Sequence, residues 1–219
     1  MRILLIPIFF LITLIPTLGS ANPILNDSIS PAKKEWDRFF SSNLKYPPEA
    51  LRTRQSARVV ISIKISPEGT LDSMYLVEKA PEYFNDQVQR VFDMASLFWK
   101  HEVLEEREFN KTYQIVVNFI FSNSGGPPAD RKKIASNYIL NGKPEKALKI
   151  SEELVKSNPY DDKNYELRSQ INRQLGNEDQ AIEDLLSAQR VKKDVLSTYD
   201  VIIFGVVRSS ASPGSIPVR

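Results

Sequence analysis

The sequence predicts an α+β fold: a small three-stranded antiparallel sheet with packed helices, followed by an all-α helical-repeat module. Three observations carry this. Between Tyr46 and Phe121 the hydrophobic period changes in the order helix, strand, strand, helix, strand. A cluster of Ser, Gly and Pro follows at 122–128. Beyond it, Gly142 and Gly176 recur 34 residues apart, as do Ala147 and Ala181.

The elements follow in order. Ser30-Pro31 is an N-cap with proline at the first helical position, opening a helix through Trp36, Phe39 and Phe40. Those aromatics suit packing over the edge or face of a sheet. Tyr46-Pro47-Pro48-Glu49-Ala50-Leu51-Arg52 is a Pro-led helical turn. In Ala57 to Ile65, residues Ala57, Val59, Ile61, Ile63 and Ile65 alternate onto one face, the period of a strand. Ser66-Pro67-Glu68-Gly69 is turn chemistry: proline pre-sets φ, and glycine supplies the position that needs φ > 0. Leu71 to Lys79 returns as the second strand of a hairpin. Pro81 opens a helix whose stripe is Phe84, Val88, Val91, Phe92 and Ala95. Thr112 to Phe121 resumes period two, with Tyr113, Ile115, Val117, Phe119 and Phe121 on one face.

Composition excludes several functions. With 29 basic and 27 acidic residues there is no electrostatic footprint for nucleic acid. The absence of cysteine removes disulfides and thiolate zinc sites. Met1-Arg2, the apolar run Ile3 to Leu18 and Gly19-Ser20-Ala21 have the layout of a secretory signal, residues 1–21. Pro7 and Pro16 break the run, and about 16 residues fall short of the ~20 that a spanning helix needs. The alternative is an uncleaved N-terminal anchor. Cleavage gives a periplasmic chain; an anchor gives an inner-membrane chain facing the periplasm. Membrane association is expected only with the anchor.

The stretch 46–121 resembles the TonB C-terminal domain family. The resemblance rests on Tyr46-Pro47-x-x-Ala50, the first strand, Pro67-Glu68-Gly69 with Leu71, the aromatics Phe98-Trp99, and Val117-Asn118-Phe119. Two features depart from it. Gln55-Ser56-Ala57 stands where the family usually has a glycine, and Lys100-His101-Glu102-Val103 where it has Pro-Ala and a glycine. The resemblance implies a periplasmic domain that binds protein by strand addition, an extended peptide joining the sheet edge. It also implies the sheet order second, first, third, which leaves 112–121 at an edge. That strand carries neither charge nor proline, and bare edges of this kind pair or aggregate. Tyr113, Gln114, Ile115, Val116, Val117, Asn118 and Phe119 are therefore the candidate partner-binding residues. Phe98 and Trp99 read as apolar caps over the sheet, although in the family aromatics near this place lie close to the transporter-contacting surface.

Residues 122–129 read as a flexible linker between a domain at 30–121 and a second at 130–207. In the second, Asn141 to Leu148 mirrors Leu175 to Ile182, and the period resembles tetratricopeptide repeats. Four helices are expected, near 130–141, 144–157, 161–175 and 178–191. Asn172, Lys193 and Ser151 depart from the repeat pattern. Asp194 to Val207 fits a capping helix, yet Val201-Ile202-Ile203-Phe204 is equally strand-like. Residues 208–219 read as a disordered tail.

No catalytic, cofactor or metal site is expected. His101 is the only histidine and lies in a charged stretch; Asp161-Asp162 and Glu152-Glu153 suit a helix start and a solvated face. The expectation is an exported, non-enzymatic protein-binding protein, its partner an outer-membrane transporter or an envelope-complex subunit. The first alternative is an energy transducer, which needs an anchor and a long spacer. Asn22 to Ile29 spans only about 25 Å even at ~3.1 Å per residue. The other is an envelope-complex assembly adaptor working through its helices.

Overall fold

The computed structural model describes residues 29–123 and 126–205. The signal-like segment, most of the linker after it, linker residues 124–125 and the C-terminal tail lie outside the described residues. The elements are α1 (Pro31–Asn43), α2 (Pro48–Thr53), β1 (Ala57–Ile65), β2 (Leu71–Glu78), α3 (Glu82–Ser96) and β3 (Thr112–Ser122). Then come α4 (Arg131–Leu140), α5 (Pro144–Ser157), α6 (Asp162–Gln174), α7 (Glu178–Asp194) and β4 (Val195–Phe204).

The sheet has four strands, not three, in the order β2-β1-β3-β4. β1 pairs antiparallel with β2 and with β3. β4 pairs parallel with β3, from Ile115↔Ser197 to Ser122↔Phe204. Parallel neighbours need a crossover connection, and here α4–α7 are that connection. The segment 195–204, grouped by its sequence position with the helical module, thus belongs to the sheet.

One face of the sheet carries the main core. Val59, Ile61, Ile63, Ile115, Val117 and Phe119 meet α1 and α3 through Trp36, Phe40, Phe84, Val88 and Val91. Each such side chain contributes about 1.5–3 kcal/mol when fully buried. The Ser30 hydroxyl accepts from the Lys33 amide at 3.0 Å, capping α1, and donates to the Glu102 carbonyl at 2.8 Å. The aromatics of α1 therefore pack on the face of the sheet rather than along its edge.

The opposite face is also buried. Val60, Ser62 and Val116 alternate away from the main core and are nearly inaccessible. α7 runs against β3 and β4 on this side. Arg58 projects from β1 to Glu78 at 3.0 Å and donates to the Ser157 carbonyl at 2.6 Å, with Tyr160 stacked on its guanidinium. The result is three layers, with the helices after the linker forming the third.

Within that layer the four helices lie close to the expected positions. Gly142 and Gly176 both take positive φ, 66° and 79°, and Ala147 and Ala181 are fully buried. Asn172 and Asp184 are buried polar residues, and each has its partners. Arg168 grips the Asp184 carboxylate with Nε and Nη2, and Asn172 donates to it at 3.1 Å. The Asp184 carboxylate holds the Arg168 guanidinium above its ordinary pKa.

Candidate protein-binding surfaces

β3 is an interior strand. Tyr113, Ile115, Val117 and Phe119 point into the main core, and Gln114, Val116 and Asn118 point to the helix-covered face. Residues 112–119 pair with β1 on one side, and 114–122 pair with β4 on the other. Six of the seven residues expected at a free edge, Gln114 to Phe119, are thus flanked on both sides, and Tyr113 pairs with β1. The correction has a physical reason. A strand lacking charge, proline and protective bulges is what a central strand looks like, because both flanks and both faces are covered.

β4 is held firmly at its N-terminal end. Arg107 donates to the carbonyls of Lys192 and Val195 at 3.2 and 3.1 Å, satisfying groups left open where α7 ends. The Tyr199 ring stacks on Phe40 with centroids 4.9 Å apart. Its hydroxyl and the Ser197 hydroxyl both donate to Asp37 Oδ1, at 2.6 and 3.0 Å. Lys33 Nζ donates to Ser197 Oγ at 3.0 Å and pairs with Asp37. Burial first, then the Asp37 charge, raises the Tyr199 hydroxyl far above the usual tyrosine range. This cluster is an anchor.

The outer flank of β4 is the sheet's new edge. From Ser197 to Phe204 it contains no lysine or proline, and its one charge, Asp200, accepts from Asn118 Nδ2 at 2.8 Å. The only register shift lies at its start, between Gln114 and Ile115 of the partner strand. Ile202 and Phe204 are 39% and 47% exposed. The other edge, β2, is different: its pairing with β1 shifts register twice, and it carries Asp72 and Glu78. Bulges and charge protect β2; the last four residues of β4 have neither.

Two hollows remain. A pocket of about 110 Å³ lies between α1 and the end of α3, walled by Trp36, Phe39, Ala95 and Phe98, with Glu35 and Lys100 paired at its mouth. Here the aromatic pair divides its duties. Trp99 Nε1 donates to the Gly69 carbonyl at 2.9 Å, and its ring meets Trp36 edge-on. Phe98 stands 58% exposed beside Phe39. A second cleft separates α7 from the start of β4. Its Arg107 is spent on carbonyls, and its Asp161 caps α6 and pairs with Lys132.

His101 is exposed, lies edge-on to Phe109 and has its Nδ1 3.7 Å from the Glu102 carboxylate. Glu153 pairs with Arg131, which holds its carboxyl below the ordinary range. On α7, Ile182 and Leu186 form an exposed apolar pair one turn apart. Sequence reasoning missed Arg107, Asp37 and Ser197; nothing local marks them, because each acts on a distant element.

Among the described residues no helix is long and apolar enough to cross a membrane. No curated protein and no solved structure matches the chain. Residues 42–122, the span from the end of α1 to the end of β3, match the family model described as the Gram-negative bacterial TonB protein C-terminal, and this part of the chain is similar to that domain.

Proposed function

We propose that this chain is an exported, non-enzymatic protein-binding protein of the periplasm. In this reading it takes up an extended partner segment along the outer edge of β4. The carrying observation is that β4 closes the flank of β3 and itself offers an edge without lysine, proline or a bulge over Val201–Phe204. Strand addition of the kind implied by the TonB-like domain therefore moves outward by one strand. The buried ionisable groups support a binding role, since Lys33–Asp37 and Arg168–Asp184 are both spent on holding elements together. The partner is an outer-membrane transporter or another envelope protein, and neither nucleic acid nor a cofactor is required.

An energy transducer that engaged its partner at β3 would have to detach β4 against the Tyr199 and Arg107 anchors, which weighs against that reading. A second reading, an assembly adaptor working through tetratricopeptide-like helices, is favoured by Ile182 and Leu186. Both sit on the last helix of the module, 53% exposed. The paired positive-φ glycines and buried alanines support that helical kinship. A photo-crosslinking residue at Ile202 or at Ile182, in cells, separates the two. Crosslinks to protein from Ile202 alone support the β4 edge. Crosslinks from Ile182 alone reject it in favour of the adaptor.

A further inference from the structure

We propose that the strand added at β4 is the same strand of a second copy of this chain. The two run antiparallel about a two-fold axis through Ile202, perpendicular to the sheet. The proposal rests on the β4 edge being the binding surface.

The residues of β4 are complementary to themselves in this register. Side chains alternate between faces: Val201 and Ile203 lie toward the main core, opposite Phe119 and Phe121, while Asp200, Ile202 and Phe204 lie on the other side. A perpendicular two-fold keeps each face on its own side, so only residues of equal parity can oppose one another. Centring it on Ile202 sets Ile202 against its own copy and Val201 against Ile203. Asp200 then faces Phe204 of the second copy. Opposed apolar pairs on both faces extend the two layers that β4 already closes, and such cross-strand pairs each contribute about 0.2–1 kcal/mol.

Charge permits this pairing. The only charged side chain from Ser197 to Phe204 is Asp200, which already accepts a hydrogen bond from Asn118. In this register the two Asp200 residues are offset by four positions. At ~3.4 Å per residue that is about 14 Å, beyond a Debye length of roughly 8 Å. The formal net charge of the whole chain is only +2, so two copies repel weakly. An isologous interface of this kind closes at two copies, because the end of each β4 is taken up by the other. The exposed end of β4 thereby finds a partner without starting a fibre.

The test is sedimentation of the full chain at roughly 100 μM, where even a weak dimer forms. The expected result is twice the monomer mass. Ile202→Lys and Ile202→Asp, each placing like charges opposite each other, should sediment as monomers with near-unchanged melting. An equimolar mixture of the two should return to the dimer. The chain has no cysteine, so Ile202→Cys under oxidation should form one intermolecular disulfide and provides a check if the charged variants fold poorly. A monomeric wild type overturns the proposal, as does a dimer that both charged variants leave intact or a mixture that stays monomeric. If the chain is monomeric yet crosslinks a different protein from Ile202, the β4 edge stands and only the second copy falls. If Ile202 crosslinks nothing, the edge reading falls with it.

Discussion

The Tyr199 hydroxyl donates to Asp37 Oδ1 at 2.6 Å, joining the last strand of the sheet to the first helix across 162 residues of chain. The bond closes a buried cluster in which Asp37 also accepts from Ser197 and pairs with Lys33. Its consequence is that β4 is locked at one end and open at the other. The outer flank of β3 is thus covered by sequence lying far beyond the TonB-like stretch.

Tyr199→Phe should cost about 1.5–3 kcal/mol, the range for a hydrogen bond to a charged group. The pH dependence follows from the raised pKa. The folded hydroxyl keeps its proton where the unfolded one, near pH 10, has lost it. Stability is therefore full below about pH 10 and falls as pH rises above it, by up to about 1.4 kcal/mol per pH unit. Tyr113 and Tyr160, also raised by burial, add to the slope in both proteins. Urea melts of the wild type and variant from pH 9 to pH 11 measure the difference. The variant should lose less stability on the alkaline side, and parallel curves would contradict the assignment.

Arg107→Gln should loosen the junction between α7 and β4. It removes donors from the Lys192 and Val195 carbonyls and a cation from the negative end of the α7 dipole. A loss of about 1–2 kcal/mol is expected. Hydrogen exchange should quicken in the last turn of α7 and the first residues of β4, with α3 unchanged. Uniform quickening across all elements would mean that the arginine has no local capping role.

Gly69, Gly142 and Gly176 all have positive φ, but their surroundings differ. A Cβ on Gly69 would lie 3.0 Å from both His101 Cβ and the Phe109 ring, whereas at Gly142 and Gly176 nothing lies within 4 Å. Alanine at Gly142 or Gly176 should cost only the left-handed backbone penalty, about 1–2 kcal/mol. Alanine at Gly69 adds displacement of the 101–109 loop to that penalty. Thermal melts of the three variants should rank Gly69→Ala lowest; equal melting temperatures would show that the loop yields freely.

Much of the fold was legible because its signals are local. Alternation in 57–65 and 112–121, the stripe from Phe84 to Ala95 and the turn at Pro67-Glu68-Gly69 each specify their element from neighbours in sequence. The helices expected near 130–141 and 144–157, and found at Arg131–Leu140 and Pro144–Ser157, are marked by Gly142 and Pro144 in the same way. β4 was not legible. Val201-Ile202-Ile203-Phe204 is apolar on both sides, a pattern shared by buried helices and by parallel strands, and its partner Ile120 lies 82 residues away. That single ambiguity produced the misplaced edge. Once β4 is absent from the reading, the unprotected sequence of β3 looks like a binding edge rather than an interior strand.

A chain ending at Asp194 is the most direct test of this architecture, because among the described elements it keeps every helix and loses β4 alone. Leu196 and Tyr199, 4% and 6% exposed, leave the main core, and Phe40 loses its stacked ring. At about 1.5–3 kcal/mol for each buried side chain, the two together are a large part of the stability of a small domain, about 5–15 kcal/mol. It also bares the backbone of β3 from Gln114 to Ser122, a flank with no charge or proline. The truncated chain should melt far below the full chain and self-associate, as unprotected edges do. Adding a peptide of residues 195–205 in excess should restore both solubility and the melting temperature, since it supplies the same strand and the same Tyr199 hydroxyl in trans. Raised stability on peptide addition, absent with a Tyr199→Ala peptide, would establish β4 as the fourth strand. A truncated chain that is soluble and as stable as the full one would mean that β4 contributes nothing to the sheet.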